Sequence, residues 1–460
     1  MNVKQAITDL KLHANIGKLE KIDETADEYM WLTQIYVRHL IGVAVHPAGW
    51  GQPAFGRFEF HPKQKTLPPV ATPLSERWKR CAWMQACGIV NSWLSNGRHR
   101  DGSGEPTLDD ITIQGNANVV VLAQSTDSCF DYWLRVSTLD KGKPVLVPFT
   151  MHPYGASLIR QALASGGRVS GGVTLSKRDG VWSCQLCVTR KVKPRKAAGK
   201  RGYDVGMVTV AADSGGRNYG TLSAPLKQRI NADAERTARK QKLNVCLKKK
   251  QLPEVSLVNG RTERWVRQEI GLHLNRLIAD LSAEPAPPVA ILEKLSVRDM
   301  RMKSREQNRA LKAGQIGYIA RRFRYSLDLA GLAWREVNAA YTSQECPHCG
   351  FVLKQNRRSQ DRFVCLMCGY TDNADTKAAL VIEGRSHDDE LNNVGFREAG
   401  TILVERYMRR WAGACPLPAN NRSASGPPVG DWRPGIIIPG RKGSPTGLPE
   451  HPLGKLKSAA

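Results

Sequence analysis

Apolar positions recur at two different periods along this chain, and the changes of period mark its predicted elements. Ser75 to Asn96 (SERWKRCAWMQACGIVNSWLSN) sets Trp78, Ala82, Ile89 and Trp93 near one helical face, with Gly97 as the expected stop. Arg168 to Val192 alternates instead, and the turn residues Arg178, Asp179 and Gly180 in its middle predict a β-hairpin. A basic linker, KPRKAAGKR, follows, and beyond it strands and helices alternate. GYDVGMVTVAAD reads as a strand that turns at Ser214–Gly216, with NYGTLSA returning antiparallel; a basic helical stretch runs from Pro225 to Lys250. Ile270, Leu274, Leu277 and Leu281 repeat at helical spacing up to the breaker EPAPP, after which VAILEKL is short and apolar enough for a buried strand. Ile316, Ile319, Phe323, Leu327 and Ala330 mark a further helix whose other face carries Arg321, Arg322 and Arg324; WREVNAAY predicts a strand and Ala374–Ile382 a helix. From about Gly384 the residues are rich in Gly, Pro, Arg and Asn without a usable period, which predicts disorder. No fixed repeat is present, so a solenoid or propeller is not expected.

Charge narrows the partner. Lys and Arg number 68 against 42 Asp and Glu in 460 residues, a formal net charge of +26, beyond what solubility needs. The basic residues are spread through most of the chain and no amphipathic anchor stands out, which favours nucleic acid over an anionic membrane. The N-terminus lacks a signal-peptide core and no run of about 18 apolar residues occurs, so a non-secreted, non-membrane protein is expected. Eleven cysteines, an odd number, point to a reducing compartment without disulfides.

Four of those cysteines carry a metal pattern: Cys346 and Cys349, a fifteen-residue spacer, then Cys365 and Cys368, each pair closed by a glycine, Gly350 or Gly369. Four thiolates complete a tetrahedral Zn²⁺ shell, which leaves no open position and makes the ion structural. His348 is expected beside the shell, not in it. A second pair, Cys184 and Cys187, would lie on opposite faces of a strand. Between the knuckles, Asn356 to Arg362 reads equally as a solvated ribbon tip or as a support holding Arg357 and Arg358 against a phosphate backbone.

Carboxylates set in apolar strands are informative in so basic a chain. Asp204 in GYDVGM and Glu293 at the end of VAILE would each cost several kcal/mol, roughly, if buried without a cation. Asp375 opens a helix, where its plainest role is a cap or dipole partner. Together the three fit a site in which carboxylates from different elements hold two Mg²⁺ ions for phosphodiester cleavage. Strand, antiparallel neighbour, later strand ending in Glu and final helix opening with Asp is the order of an RNase H-like sheet. A transposase of the Asp-Asp-Glu type would end on glutamate, and is disfavoured.

GYDVGMVTVAADSGG, VAILEKLSVRDM, AAYTSQECPHCG, FVCLMCGY and DNADTKAALVI, spanning about Tyr203 to Ile382, resemble the nuclease core of the transposon-encoded TnpB proteins and the related compact type V CRISPR effectors. The resemblance implies an α/β, RNase H-like (RuvC) nuclease domain with an inserted zinc ribbon, and an N-terminal mixed α+β wedge and recognition lobe. It divides the chain into 1–198 for that lobe, 199–341 for the first part of the nuclease, 342–370 for the ribbon, 371–384 for the last part, and 385–460 for a disordered tail. The implied function is an RNA-guided, Mg²⁺-dependent DNA endonuclease with the triad Asp204, Glu293 and Asp375, acting with a guide RNA on double-stranded DNA in a prokaryotic cytoplasm, nucleoid-associated when bound to DNA. Lys248, Lys249 and Lys250, with Arg239 and Lys240, are candidate nucleic-acid contacts alongside Arg357 and Arg358. Departures from the family pattern are Lys294 and Lys377, where a second acid and an asparagine are common; both are expected to bring positive charge beside the site. A guided DNA-binding repressor that does not cut, a CRISPR-associated effector in place of a transposon-encoded one, and an unguided junction nuclease are the competing readings.

Overall fold

The structure, a computed structural model, describes residues 1–45, 67–95, 104–124, 128–206, 208–257, 260–295, 315–359 and 361–412. Its fold is mixed α/β, in two compact units that divide between Lys193 and Pro194, within the basic linker read from the sequence.

In the first unit β1 (Asn2–Lys11) leads into the helices α1 (Ile16–Val45) and α2 (Glu76–Ser95). Next come β2 (Thr112–Gly115), β3 (Val120–Gln124), β4 (Tyr132–Val136), β5 (Val145–Phe149), helix α3 (Pro153–Ala164), β6 (Arg168–Arg178) and β7 (Val181–Lys191). One sheet has the order β1-β7-β6-β2 and the other β3-β4-β5, every pair antiparallel. The expected hairpin is β6–β7, and Asp179 and Gly180 both take positive φ, as a two-residue turn matched to strand twist requires. Trp78 and Trp93 of α2 are buried; Ile89 packs against the same core only partly buried, while the expected stop at Gly97 lies outside the described residues.

In the second unit Arg195 of the linker is no spacer: its guanidinium donates to the carbonyls of Ser282 and Glu284, at the end of a later helix. The strands β8 (Lys200–Asp204), β9 (Thr209–Asp213) and β10 (Asn218–Thr221) precede two long helices, α4 (Ser223–Lys249) and α5 (Arg261–Ala283). Then follow β11 (Val289–Lys294), α6 (Ile316–Ala330) and β12 (Trp334–Asn338). They form one sheet of order β10-β9-β8-β11-β12, antiparallel on the β9 side of β8 and parallel from β8 through β12. A two-stranded ribbon, β13 (Arg362–Val364) and β14 (Thr371–Asn373), runs into helix α7 (Ala374–Gly384).

Side-chain alternation gives the sheet two faces. Tyr203, Ala290 and Leu292 pack with Leu274, Phe323 and Leu327 of α5 and α6. Ile291 and Val337 point the other way, against Ile382 of α7. The approach of α7 is so close that a Cβ on Gly202 of β8 would meet the Ala379 carbonyl oxygen at 2.0 Å.

The expectation of disorder from residue 385 is corrected as far as Ala412. Arg385 is 3% exposed, α8 (Asp389–Asn392) follows, and α9 (Phe396–Ala412) packs Ala399 and Leu403 against Ala340, Val352 and Leu391. A four-residue helix and a short 3-10 turn are too brief to show a period, and the apolar face of α9 is narrow among its charges. Residues 413–460 of the expected tail lie outside the described residues. No described helix is long and apolar enough to cross a membrane.

Candidate functional site

Gly202 faces α7 while Tyr203 faces α5 and α6, so the next residue, Asp204, returns to the α7 side. On the neighbouring strand Leu292 pairs with Tyr203, and Glu293, one residue on, shares the face of Ile291. Two carboxylates therefore sit side by side at the carboxyl ends of adjacent parallel strands, under the helix that opens with Asp375. Asp375 is not the cap of that helix. Asn373 is, accepting from the amides of Asp375 and Thr376, which leaves the Asp375 carboxylate to the sheet. Thr209 on β9 donates to Asp375 Oδ2 at 3.1 Å, and Arg357 donates to Oδ1 at 3.3 Å.

The electrostatics bear out how close the three groups are. Burial first, then the negative charge of Glu293 and of Asp375, holds the Asp204 carboxyl well above the usual range, against the pull of Arg357 and Lys377. Burial also raises Glu293, which is 8% exposed, while a hydrogen bond from Thr342 and the charges of Arg385 and Lys377 oppose the rise. Asp204 keeps partial exposure, an opening toward solvent.

Of the two lysines expected beside the site, only one is there. Lys294 is exposed and, by alternation, turned to the opposite face from Glu293. Lys377 is fully buried, donating to the carbonyls of Thr342 (2.7 Å) and Glu345 (3.1 Å) with its ammonium 4.3 Å over the Phe363 ring. Desolvation dominates its titration and pulls it down to about 7.

The four cysteines converge. Cys346 and Cys368 sulfurs are 3.7 Å apart, Cys349 and Cys365 3.5 Å, and all four lie within 4.8 Å of one another, the one such group of metal-capable side chains among the described residues. The two knuckles are built alike: Gly350 and Gly369 take positive φ, and their amides donate to Cys346 and Cys365. Against burial, the Tyr370 amide and then the His348 side chain draw the Cys368 thiol down to about 6, which puts His348 at the edge of the cluster. Cys184 is buried and Cys187 half-buried on β7, outside any such group.

The segment between the knuckles divides its residues. Asn356 is no part of a solvated tip: it is fully buried, donating to Gln344 and Phe351 carbonyls and accepting from the Leu366 amide, so it ties one knuckle to the other. Arg357 reaches Asp375, whereas Arg358 is exposed. Lys248, Lys249 and Lys250 are exposed at the end of α4, where cations also suit the helix dipole; Arg239 is exposed beside Glu235, and Lys240 donates to Ser256. Thr209, Thr342 and Arg385 are the site residues that sequence reasoning missed, having no motif of their own.

Residues 317–382 match the family described as Cas12f1-like, TNB domain. A putative RNA-guided DNA endonuclease InsQ of Escherichia coli (strain K12) is 47% identical over 51 residues, 11% of this chain and 13% of that protein. The CRISPR-associated endodeoxyribonuclease Cas12f1 of Sulfoacidibacillus thermotolerans is 42% identical over 55 residues, 12% of this chain and 13% of that protein. The matched segment is thus a small part of either curated relative. Among solved structures, a Cas12f1–sgRNA–target DNA complex aligns with a TM-score of 0.51 at 12% identity over 79% of this chain and 82% of that one, which shows a shared fold. The resemblance to TnpB-like, compact type V nucleases read from the motifs is upheld on these grounds.

Proposed function

We propose that this chain is an RNA-guided, Mg²⁺-dependent DNA endonuclease of the TnpB type. The observation that carries the reading is the convergence of Asp204, Glu293 and Asp375, from two parallel strands and one helix N-terminus, where the charges of Glu293 and Asp375 both bear on Asp204. Such a set needs cations, and the sheet order with α7 across it supports reading the unit as an RNase H-like (RuvC) core. Bound there, Mg²⁺ would supply Lewis-acid stabilisation of the charge developing at phosphorus.

This chain's own residues do the rest. Thr342 and Thr209 fix the rotamers of Glu293 and Asp375 by hydrogen bonds, and the amides opening α7 add a positive field. Arg357 lies where a phosphate entering beside Asp375 would meet it. The Cys₄ group fits structural Zn²⁺: Zn–S bonds of about 2.3 Å in a tetrahedron demand sulfurs about 3.8 Å apart, and the measured pairs are 3.7 and 3.5 Å. Residues 342–370 then form the ribbon, 199–341 and 371–384 the nuclease core, and 1–198 the wedge and recognition lobe holding guide RNA and target duplex. Pairing of guide with target strand supplies sequence specificity. Intact carboxylates at all three positions favour cutting over a silent, binding-only role.

The deciding experiment is cleavage of a plasmid target by the full chain, with and without co-expressed guide RNA. Guide-dependent cutting is expected, abolished by Asp204→Ala, Glu293→Ala or Asp375→Ala and by EDTA, restored to the wild type by Mg²⁺, while guide-dependent binding stays nearly intact because its energy comes from phosphate contacts and pairing. Cutting by purified Glu293→Ala protein, or cutting that ignores the guide, would overturn the assignment.

A further inference from the structure

Lys377 is an expensive residue to bury. Its side chain is fully enclosed, yet among the described residues it has no carboxylate partner within 4.0 Å. What it has instead is two backbone carbonyls, Thr342 and Glu345, and the face of Phe363. Together with Lys377 itself, those contacts join three different pieces of chain. Phe363 is on β13 of the ribbon, Thr342 and Glu345 lie between β12 and the first knuckle, and Lys377 itself is in the first turn of α7, two residues after Asp375. Thr342 in turn donates its hydroxyl to Glu293.

We infer that Lys377 is a positioning residue: its ammonium holds Thr342 so that the hydroxyl stays on Glu293, keys the ribbon to α7, and, with no carboxylate within 4.0 Å among the described residues, places a positive charge beside the carboxylate cluster that sets its affinity for divalent cations. This rests on the nuclease reading for its meaning, but its geometry does not. The contacts alone could be made by a neutral donor. The charge is what a neutral donor would lack, and its field falls on Asp204 and Glu293, the groups a divalent ion would meet. An ammonium beside an anionic site competes with the bound cation, so removing it tightens binding, while loosening Thr342 slows the reaction. A residue that merely filled space would do neither selectively.

The test uses the full chain. Lys377→Gln keeps an uncharged donor one atom shorter, Lys377→Met removes donor and charge, and Thr342→Val removes the hydroxyl alone. Mn²⁺ binding is followed by loss of the free-ion EPR signal, with Glu293→Ala as the blank, and zinc per chain is measured alongside. Lys377→Gln should bind Mn²⁺ several-fold more tightly than wild type with zinc unchanged. With guide and target, Lys377→Met should reach a lower maximal cutting rate, as should Thr342→Val, and the double variant should be no slower than the slower single one. Unchanged Mn²⁺ affinity in Lys377→Gln, or additive losses in the double variant, would overturn the inference; if Lys377→Met does not fold, Lys377→Gln and Lys377→Gln/Thr342→Val decide it. Because Mn²⁺ binding is read without any cleavage, a wild-type chain that failed to cut would sink the nuclease reading and leave this one still to be decided by its own result.

Discussion

Gly202→Ala tests whether the seat of α7 on the sheet sets the position of Asp375. The added methyl would lie 2.0 Å from the Ala379 carbonyl oxygen, 2.7 Å from the Glu383 amide nitrogen and 3.0 Å from the Glu383 Cβ, and the two closest contacts are helix backbone that no rotamer can clear. Strand β8 cannot retreat, being hydrogen-bonded to β9 on one side and β11 on the other. The helix must therefore move off by about 1 Å or more, at an overpacking cost of about 1–3 kcal/mol. At about 2–4 °C per kcal/mol for a unit of this size, melting should fall by up to roughly 12 °C. Asp375 moves with the helix, and a misplacement of about 1 Å at a reacting centre costs on the order of 10²-fold in rate. The assay compares melting, guide-dependent target affinity and cutting rate at saturating target, with Gly271→Ala as control: Gly271 lies inside α5 with no atom near its would-be Cβ, so that change should stabilise by about 0.5–1 kcal/mol. A Gly202→Ala protein that melts lower yet cuts at the wild-type rate would refute the link between this contact and the carboxylate.

Cys365→Ser should lose the single zinc and slow cutting, since Lys377 and Arg357 tie the ribbon to α7; normal cutting by a zinc-free variant would disprove that support. Neutralising Lys248, Lys249 and Lys250 should weaken matched and mismatched targets alike and flatten the salt dependence of affinity by about one unit per lost phosphate contact, and an unchanged salt slope would reduce them to a solvated run. Arg357→Ala with Arg358→Ala should lower cutting more than binding, and proportional loss of both, or of neither, would end the strand-loading role. Compared with a chain stopped after Ala412, one stopped after Gly395 exposes Val352, Leu391 and Phe351 and loses the Leu403 contribution, about 1.5–3 kcal/mol, so equal melting of the two would show α9 to be idle.

What could be read in the sequence was whatever carries a local signature. The β6–β7 turn, the two glycine-closed knuckles and the helical face of Ile270 to Leu281 each announce themselves within a few residues. Glu293 was legible as the acid at a strand end, but GYDVGMVTVAAD reads as one strand, whereas the structure divides it into β8 and β9 and so puts Asp204 at the end of β8. Thr209, Thr342 and Lys377 carry no such mark: a threonine donates to a carboxylate 166 residues away only once the sheet and helix have met. The family pattern set Lys377 beside the site, but nothing near it in sequence says that Phe363 and two carbonyls will enclose it. Arg385 and α9 were missed for the opposite reason, because their apolar positions are few and their neighbours are the Gly- and Asn-rich residues that usually mark loops.

The order in which the chain is made gives the close seat of α7 on β8 a further meaning. β8 emerges early, but its carboxylate gains a full set of neighbours only when β11, then the ribbon, then α7 arrive; the hydrogen bond from Ser214 to Glu383 closes a loop of 169 residues. Contacts so distant in sequence form late, after the local hairpins and helices. On the proposed function, a growing chain lacks its third carboxylate until the ribbon and then α7 have left the ribosome, so a product that stops short of the ribbon would not cut.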